Sequence, residues 1–352
     1  MVRIAVVALP FCHGSGIVGV MDFFAAANFC DRATPRDEPP FDCEIVTVDD
    51  QPVHSYSGIP IAPTVRRQDY RADVIIVGSA TEAVLGDRHI DAAMDQARPL
   101  HPWLCSAIEQ GAIVASVCTG SFVLAEAGLL THHVATTHWR AAPAFQRRYP
   151  ELRLEAEQLL VDNGQIICAG GATSFMDLCL YLVERLGSPA LAVACSKLLI
   201  LDARRADQAP YRNFYGSRAH RDEVIEGIQG WLEQHYADAI AIDDLAQRAR
   251  LGPRTFKRRF KEATGETPLS YLQHLRIEEA KQELESTRRQ TAQIIWDIGY
   301  EDASSFRRLF KRNVGCTMEE YRRRFSYVTP GRITPPGATA SDSLPVASRD
   351  AL

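Results

Sequence analysis

The sequence predicts two domains of different class: an N-terminal α/β domain with a mainly parallel sheet and helices on both faces, then an all-α domain made of tandem helix-turn-helix units. Three observations predict this. Up to about residue 200, short apolar runs alternate with longer helical stretches, the order a parallel sheet with crossover helices requires. From His220 to Phe325 the strand pattern stops and every segment has helical spacing. Within that second half, the block Thr255–Lys261 returns fifty positions later as Ser305–Lys311, and two copies of one supersecondary unit are the economical reading.

Expected strands of the first half are Val2–Leu9, Phe41–Val48, Asp73–Val77, Ala112–Val117, Gln158–Val161 and Gln165–Ala169. Those at 4–9, 74–77 and 112–117 are apolar but for Ser116, as expected of a sheet covered on both faces. Helical stretches fall near 17–29, 101–110, 119–127, 140–148, 171–186 and 189–201. The domain is expected to span 1–203. Polar residues with Pro210 and Gly216 mark 204–219 as a linker. The helical domain spans 220–327, and the Pro-, Gly-, Ala-, Ser- and Thr-rich tail 328–352 has too little to bury and is expected to be disordered.

Composition narrows the function. The chain has 352 residues, 46% hydrophobic and 24% charged, with a net charge of -5, which excludes a disordered or collagen-like protein. Charge is unevenly placed: residues 1–217 hold 17 Lys/Arg against 24 Asp/Glu, whereas 218–327 hold 20 against 18. Nine cysteines are scattered with no C-x-x-C pair, which argues against a disulfide framework and a zinc site. No metal and no cofactor is expected. The N-terminus lacks a secretory signal and no run reaches the roughly 20 apolar residues of a membrane helix, so a cytoplasmic protein with reduced thiols is expected.

Each repeat has the layout of a helix-turn-helix. A first helix (about 243–249 and 291–298) precedes a tight turn, with Gly299 in the second copy. The next helix starts at Gly252-Pro253 in one copy and at Asp302 in the other. Phe256 and Phe260, like Phe306 and Phe310, stand at i and i+4 and share a buried face. The remaining faces present Arg254, Lys257, Arg258 and Lys261 in the first copy, and Ser304, Arg307, Arg308, Lys311 and Arg312 in the second. A single basic helix is ordinarily a solvated face. The same basic face at the same place in two copies points instead to major-groove DNA, where Arg pairs with guanine and Lys meets phosphate. Leu269–Leu284 has the length to join the units so that they enter successive grooves about 34 Å apart.

In the first domain, the strand ending at Val117 runs into Cys118-Thr119-Gly120 and a helix follows at once. This is nucleophile-elbow geometry, with the thiol at a helix N-terminus where the dipole lowers its pKa. His138 ends a short extended stretch twenty residues on, and a Cys–His pair can generate a thiolate. Buried cysteine and hydrogen-bonded histidine are equally ordinary core residues.

Residues 220–325 resemble the AraC/XylS-type DNA-binding domain through Arg254–Lys261, Gly265-Glu266-Thr267-Pro268, Gly299-Tyr300-Glu301-Asp302 and Tyr321-Arg322. Gly252, Ile295 and Met318 depart from that pattern. Residues 1–200 resemble the PfpI-like, class I glutamine amidotransferase-like fold through Cys118-Thr119-Gly120, Thr136-Thr137-His138-Trp139 and Gly170–Leu178. The resemblance implies an acidic partner near Gly16, which carries no carboxylate, so catalysis is not expected. PfpI-like then AraC-type is the arrangement of GlxA-type transcriptional regulators. That resemblance implies a homodimer binding double-stranded promoter DNA, contact with RNA polymerase, and a first domain that senses a small molecule, such as an amino acid or related nitrogen compound. Cys118, Thr119, Gly120 and His138 then become the candidate pocket. The competing readings are a cysteine-dependent hydrolase or lyase with an appended regulatory domain, and a redox sensor acting through Cys118.

Overall fold

The computed structural model describes residues 1–31, 38–81, 87–202, 207–214, 216, 218 and 220–327. The chain divides into two compact units, Met1–Arg212 and Asn213–Leu352. The expected tail 328–352 lies outside the described residues.

The first unit runs β1 (Val2–Ala8), α1 (Gly14–Asp31), β2 (Phe41–Thr47), β3 (Val53–His54), β4 (Pro60–Ile61), β5 (Val74–Val77), α2 (Asp87–Ala97), α3 (His101–Glu109), β6 (Ile113–Val117) and α4 (Ser121–Glu126). It continues through β7 (Val134–Ala135), α5 (Ala142–Arg148), β8 (Arg153–Leu154), β9 (Leu160–Asp162), β10 (Ile166–Ala169), α6 (Phe175–Leu186) and α7 (Pro189–Leu198). Six strands form one sheet in the order β2-β1-β5-β6-β10-β9. All neighbours pair in parallel except β9, which closes the edge antiparallel to β10. Register is continuous across the centre, with Ile4 opposite Val74 and Val74 opposite Ile113.

Every residue of β5, β6 and β10 is buried. Successive strand side chains point to opposite faces, so both faces are covered. Helices α1, α6 and α7 pack together, and α2, α3 and α4 form a second group. The chain goes outward from β1 to β2 and returns to β5 on the other side. The order therefore reverses between β1 and β5, and the crevice beyond their carboxyl ends is where such sheets bind ligands.

The hairpin β3–β4 and helix α2 were not anticipated. The hairpin is too short to carry a period. Helix α2 did carry one, because Ile90, Ala93, Met94 and Ala97 are its buried residues, spaced for one helical face. The expected linker 204–219 is not extended coil throughout. Residues 203–206 lie outside the described residues, but Asp207 bridges to Gln158 and Gln208 is buried within the first unit.

The second unit comprises α8 (Glu223–His235), α9 (Ile242–Arg248), α10 (Pro253–Thr264), α11 (Pro268–Ser286), α12 (Thr291–Asp297), α13 (Ala303–Val314) and α14 (Met318–Phe325). It has two apolar cores, one under α8–α10 and one under α12–α14, with α11 contributing to both. The fifty-residue repeat is repeated in space. Gly265 and Gly315 end α10 and α13 with φ of 82° and 79°, the left-handed cap glycine favours. Thr267 and Thr317 cap the next helices by accepting from Ser270 and Glu320 amides, each at 3.2 Å. Phe260 meets Tyr271 edge-on at 5.4 Å, and Phe310 meets Tyr321 edge-on at 5.8 Å.

A polar clamp binds the two copies together. Arg276 of α11 donates to the carbonyls of Tyr236 (2.7 Å) and Asp238 (2.9 Å) after α8, and lies over the Tyr300 ring. His274 joins Glu266 (2.8 Å) to Asn313 of α13 (3.2 Å). No described helix is long and apolar enough to cross a membrane, and no described cluster of three His, Cys, Asp or Glu is placed to hold a metal.

Candidate effector pocket and nucleic-acid interface

Strand β6 delivers Cys118 to the carboxyl edge of the sheet, beside β5. Cys118 adopts φ 59°, a left-handed conformation that costs a non-glycine residue of order 1–3 kcal/mol and concentrates at functional sites. The turn is held on every side. A Cβ on Gly120 would stand 2.5 Å from the Val77 carbonyl oxygen, so only glycine lets the elbow lie against β5. Thr119 Oγ1 donates to Ala80 O at 2.7 Å. The Cys118 carbonyl accepts from Thr137 Oγ1 at 3.2 Å and from Ser121 Oγ at 3.3 Å.

The thiol chemistry differs from the sequence expectation of a lowered pKa. Cys118 is 7% exposed, and burial pushes its thiol up to about 11 against opposing hydrogen bonds from Thr119. Desolvation is the largest effect and outweighs both of those hydrogen bonds. His138 Nδ1 accepts the Arg140 amide at 3.1 Å, and its ring lies 5.4 Å from that of Trp139. Burial, then the charges of Arg140 and His13, hold its pKa below the usual histidine range. Among the described residues, no hydrogen bond joins the Cys118 thiol to His138.

The cavity beside Cys118 is lined by His13, Gly16, Gly78, Ser79 and Ala172, among others. Its volume is about 10 Å³, room for about one water. Gly16 lies in that lining, and no carboxylate takes the place its family slot implies. Of the four candidate pocket residues only Cys118 lines this cavity; Thr119 and Gly120 are fully buried, and His138 is not part of its wall. His13 also borders an adjoining apolar groove of about 420 Å³ with Ser15, Val18, Tyr56 and Ile59.

Sequence reasoning missed Gln208, which is 2% exposed. Its Nε2 donates to the carbonyls of Thr137 (2.8 Å) and Ala156 (2.9 Å), and its Oε1 accepts from the Trp139 amide at 3.3 Å. One glutamine in a polar segment carries no periodic signal.

On the second unit, α10 buries Phe256, Phe260 and Thr264, while α13 buries Phe306, Leu309, Phe310 and Val314. All nine candidate DNA-contacting residues are exposed: Arg254, Lys257, Arg258 and Lys261 on α10; Ser304, Arg307, Arg308, Lys311 and Arg312 on α13. Asp302 caps α13 by accepting from the Ser304 and Ser305 amides at 2.9 and 3.1 Å. In α10, Arg258 pairs with Glu262 at 2.9 Å and Lys257 approaches Asp243 at 3.9 Å. Among the described residues, no carboxylate stands within ion-pair distance of Arg307, Arg308, Lys311 or Arg312. This is an exposed cationic helix face without a described ion pair, in a helix-turn-helix, the motif that can set such a face in a major groove.

Comparison with known proteins agrees with both halves. The helix-turn-helix domain family matches residues 245–324, and the DJ-1/PfpI family matches residues 37–185. The HTH-type transcriptional regulator CdhR of Pseudomonas aeruginosa is 32% identical over 248 residues, covering 70% of this chain and 73% of CdhR. The regulator GbdR from the same species is 25% identical over 284 residues, covering 79% of this chain and 73% of its own. The regulator GlxA of Rhizobium meliloti is 28% identical over 218 residues, covering 61% of this chain and 66% of its own. The chain belongs to the family of DNA-binding transcriptional regulators in which a DJ-1/PfpI domain precedes an AraC-type helix-turn-helix domain.

Proposed function

We propose that this regulator reads specific promoter sequences with the two basic helices and is controlled by a small molecule bound at the elbow of its first unit. The observation that carries the DNA reading is the exposed face of α13, where Arg307, Arg308, Lys311 and Arg312 make no ion pair among the described residues. Arg254, Lys257, Arg258 and Lys261 of α10, with Ser304 of α13, complete the interface. Phosphate contacts set the register and arginines at base edges set the sequence.

The effector reading rests on position. Cys118, Thr119 and Gly120 follow β6 at the carboxyl edge of the main sheet, one strand from the topological switch point, and His138, which follows β7, is near enough to His13 to feel its charge. The 10 Å³ cavity is too small for a metabolite, but the 420 Å³ groove that shares His13 lies within the usual ligand range. A nitrogen compound such as an amino acid would sit in that groove, which meets the small cavity beside Cys118 at His13. A homodimer in the cytoplasm that addresses RNA polymerase is the setting this reading implies. The exposed Phe29, Val193 and Leu198 on the packed pair α1–α7 support a second copy as partner.

The first unit acts as a sensor and not an enzyme. A thiol near 11 is protonated at neutral pH, and thiolate is the nucleophile. Iodoacetamide labelling of Cys118, followed by mass spectrometry, is expected to be slow at pH 7 and to rise steadily toward pH 10. A plateau below pH 8 would restore the hydrolase reading. The regulator reading is tested by selecting duplexes from a random library with the full chain, and by a thermal-shift screen of metabolites, since a bound effector raises apparent stability. Selection that enriches no common sequence would overturn specific binding.

A further inference from the structure

The segment entering the DNA-binding unit is tied by a buried side chain to backbone that is itself hydrogen-bonded to the elbow. Gln208 sits five residues before the second unit begins at Asn213, yet it is 2% exposed. Its amide nitrogen donates to Thr137 O at 2.8 Å and Ala156 O at 2.9 Å, and stands 3.3 Å from Gln158 O. Its amide oxygen accepts from the backbone N–H of Trp139. Thr137 in turn donates through Oγ1 to the Cys118 carbonyl at 3.2 Å. Two hydrogen bonds therefore separate the elbow backbone from the strap that leads to DNA. His138 lies between the two residues, Thr137 and Trp139, that Gln208 holds.

The strap is anchored elsewhere as well. The Gln208 amide donates to Glu157 O at 2.8 Å, Asp207 pairs with Gln158, and exposed Arg212 bridges to Glu157 at 2.9 Å. Surface pairs such as the last are weak. The buried amide is the anchor, because detaching it would strand several buried polar groups. Gly170 explains how the side chain fits: a Cβ there would stand 2.5 Å from Gln208 Nε2.

We propose that Gln208 is the positioning residue through which the elbow pocket controls DNA binding. A ligand that shifts the 136–139 segment changes the seating of Gln208, and with it the covalent approach to the helix-turn-helix unit. This rests on the effector reading above, and non-additivity of variants on the two sides of the contact is its signature. In effect the strap has a seated and a released form, and the ligand biases one of them.

The test uses the full chain and a duplex that the wild-type protein selects from a random library. Gln208→Ala releases the anchor from one side, and Gly170→Ala pushes it out from the other. Each is expected to change affinity for that duplex about fivefold or more, the lower end of allosteric coupling. Gly170→Ala in the Gln208→Ala background is expected to add nothing, because the space it needs is already open. Hydrogen exchange at the Trp139 amide should quicken in both variants while β1 and β5 stay protected. Should Gln208→Ala fail to fold, Gly170→Ala alone decides by the same two readouts. Affinities unchanged in folded variants, or effects that add independently, overturn the coupling. An effector whose thermal shift survives His138→Ala overturns the pocket assignment alone and leaves a non-additive cycle standing.

Discussion

The two helix-turn-helix copies share a chain trace and differ in how each is held and how freely its charges face solvent. Both close the first helix the same way: Leu251 N bonds to Ala246 O at 2.9 Å, and Tyr300 N to Ile295 O at 3.1 Å. The left-handed residue in that turn is Arg250 at φ 55° in the first copy and Gly299 at φ 82° in the second. Arginine bears a steric cost there that glycine does not. The cap differs too. Gly252 offers α10 no side-chain acceptor, whereas Asp302 satisfies two amides of α13. The first copy is instead stapled from outside, since Arg259 of α10 pairs with Asp222 at the start of α8. The second has the better local turn and cap and carries four cations free of described ion pairs. The two readers are therefore unequal, with α13 the stronger candidate for base contacts.

Breaking the shared part of this comparison should give the largest effect. Phe306 is fully buried in the second core, so Phe306→Ala is expected to cost about 3–5 kcal/mol. Circular dichroism would show lost helix and an earlier melt; an unchanged melt would contradict the core assignment. Next comes the inequality of the readers. Arg307→Ala should weaken the selected duplex by about 1–3 kcal/mol and relax specificity at the base it meets. Arg258→Ala should cost less, because Glu262 already compensates that charge. Equal losses in fluorescence anisotropy would erase the distinction between α10 and α13.

Smaller effects sharpen it. Asp302→Ala removes the cap and should destabilise the second copy by about 1 kcal/mol, whereas Gly252→Asp should gain the first only a few tenths. Thermal melts of the full chain would compare them. The smallest concerns acid. The Arg259 hydrogen bond holds the Asp222 carboxyl below its usual pKa, so its contribution is present above about pH 4 and fades as pH falls through the lowered value. Asp222→Asn should remove that pH dependence from the melt of the second unit without altering the DNA contacts of α13.

Much of this architecture was readable from pattern. The runs at 74–77 and 112–117, apolar but for Ser116, are those expected of a sheet covered on both faces, and every residue of β5 and β6 is buried. The Phe256/Phe260 and Phe306/Phe310 spacing placed the basic residues on the opposite, exposed face before any coordinate. Helix α2 shows a legible signal overlooked, whereas Arg276 and His274 show contacts with no signal, since nothing local marks an arginine that will cap the carbonyls after another helix. The elbow divides in the same way. Its Cys118-Thr119-Gly120 turn was visible, but the state of its thiol was not.

The order of residues alone decided which segments are strands or helices, where the chain doubles its DNA-reading unit, and which side chains stay in water. These follow from periodicity and backbone preference, which act over a few neighbouring residues. Only the tertiary structure decided that Cys118 is desolvated, its thiol pushed up to about 11, and that an apparent linker residue, Gln208, is buried with hydrogen bonds to Thr137 and Trp139 on either side of His138. Burial and hydrogen-bond partnership are set by residues tens of positions away, brought close when the sheet closes.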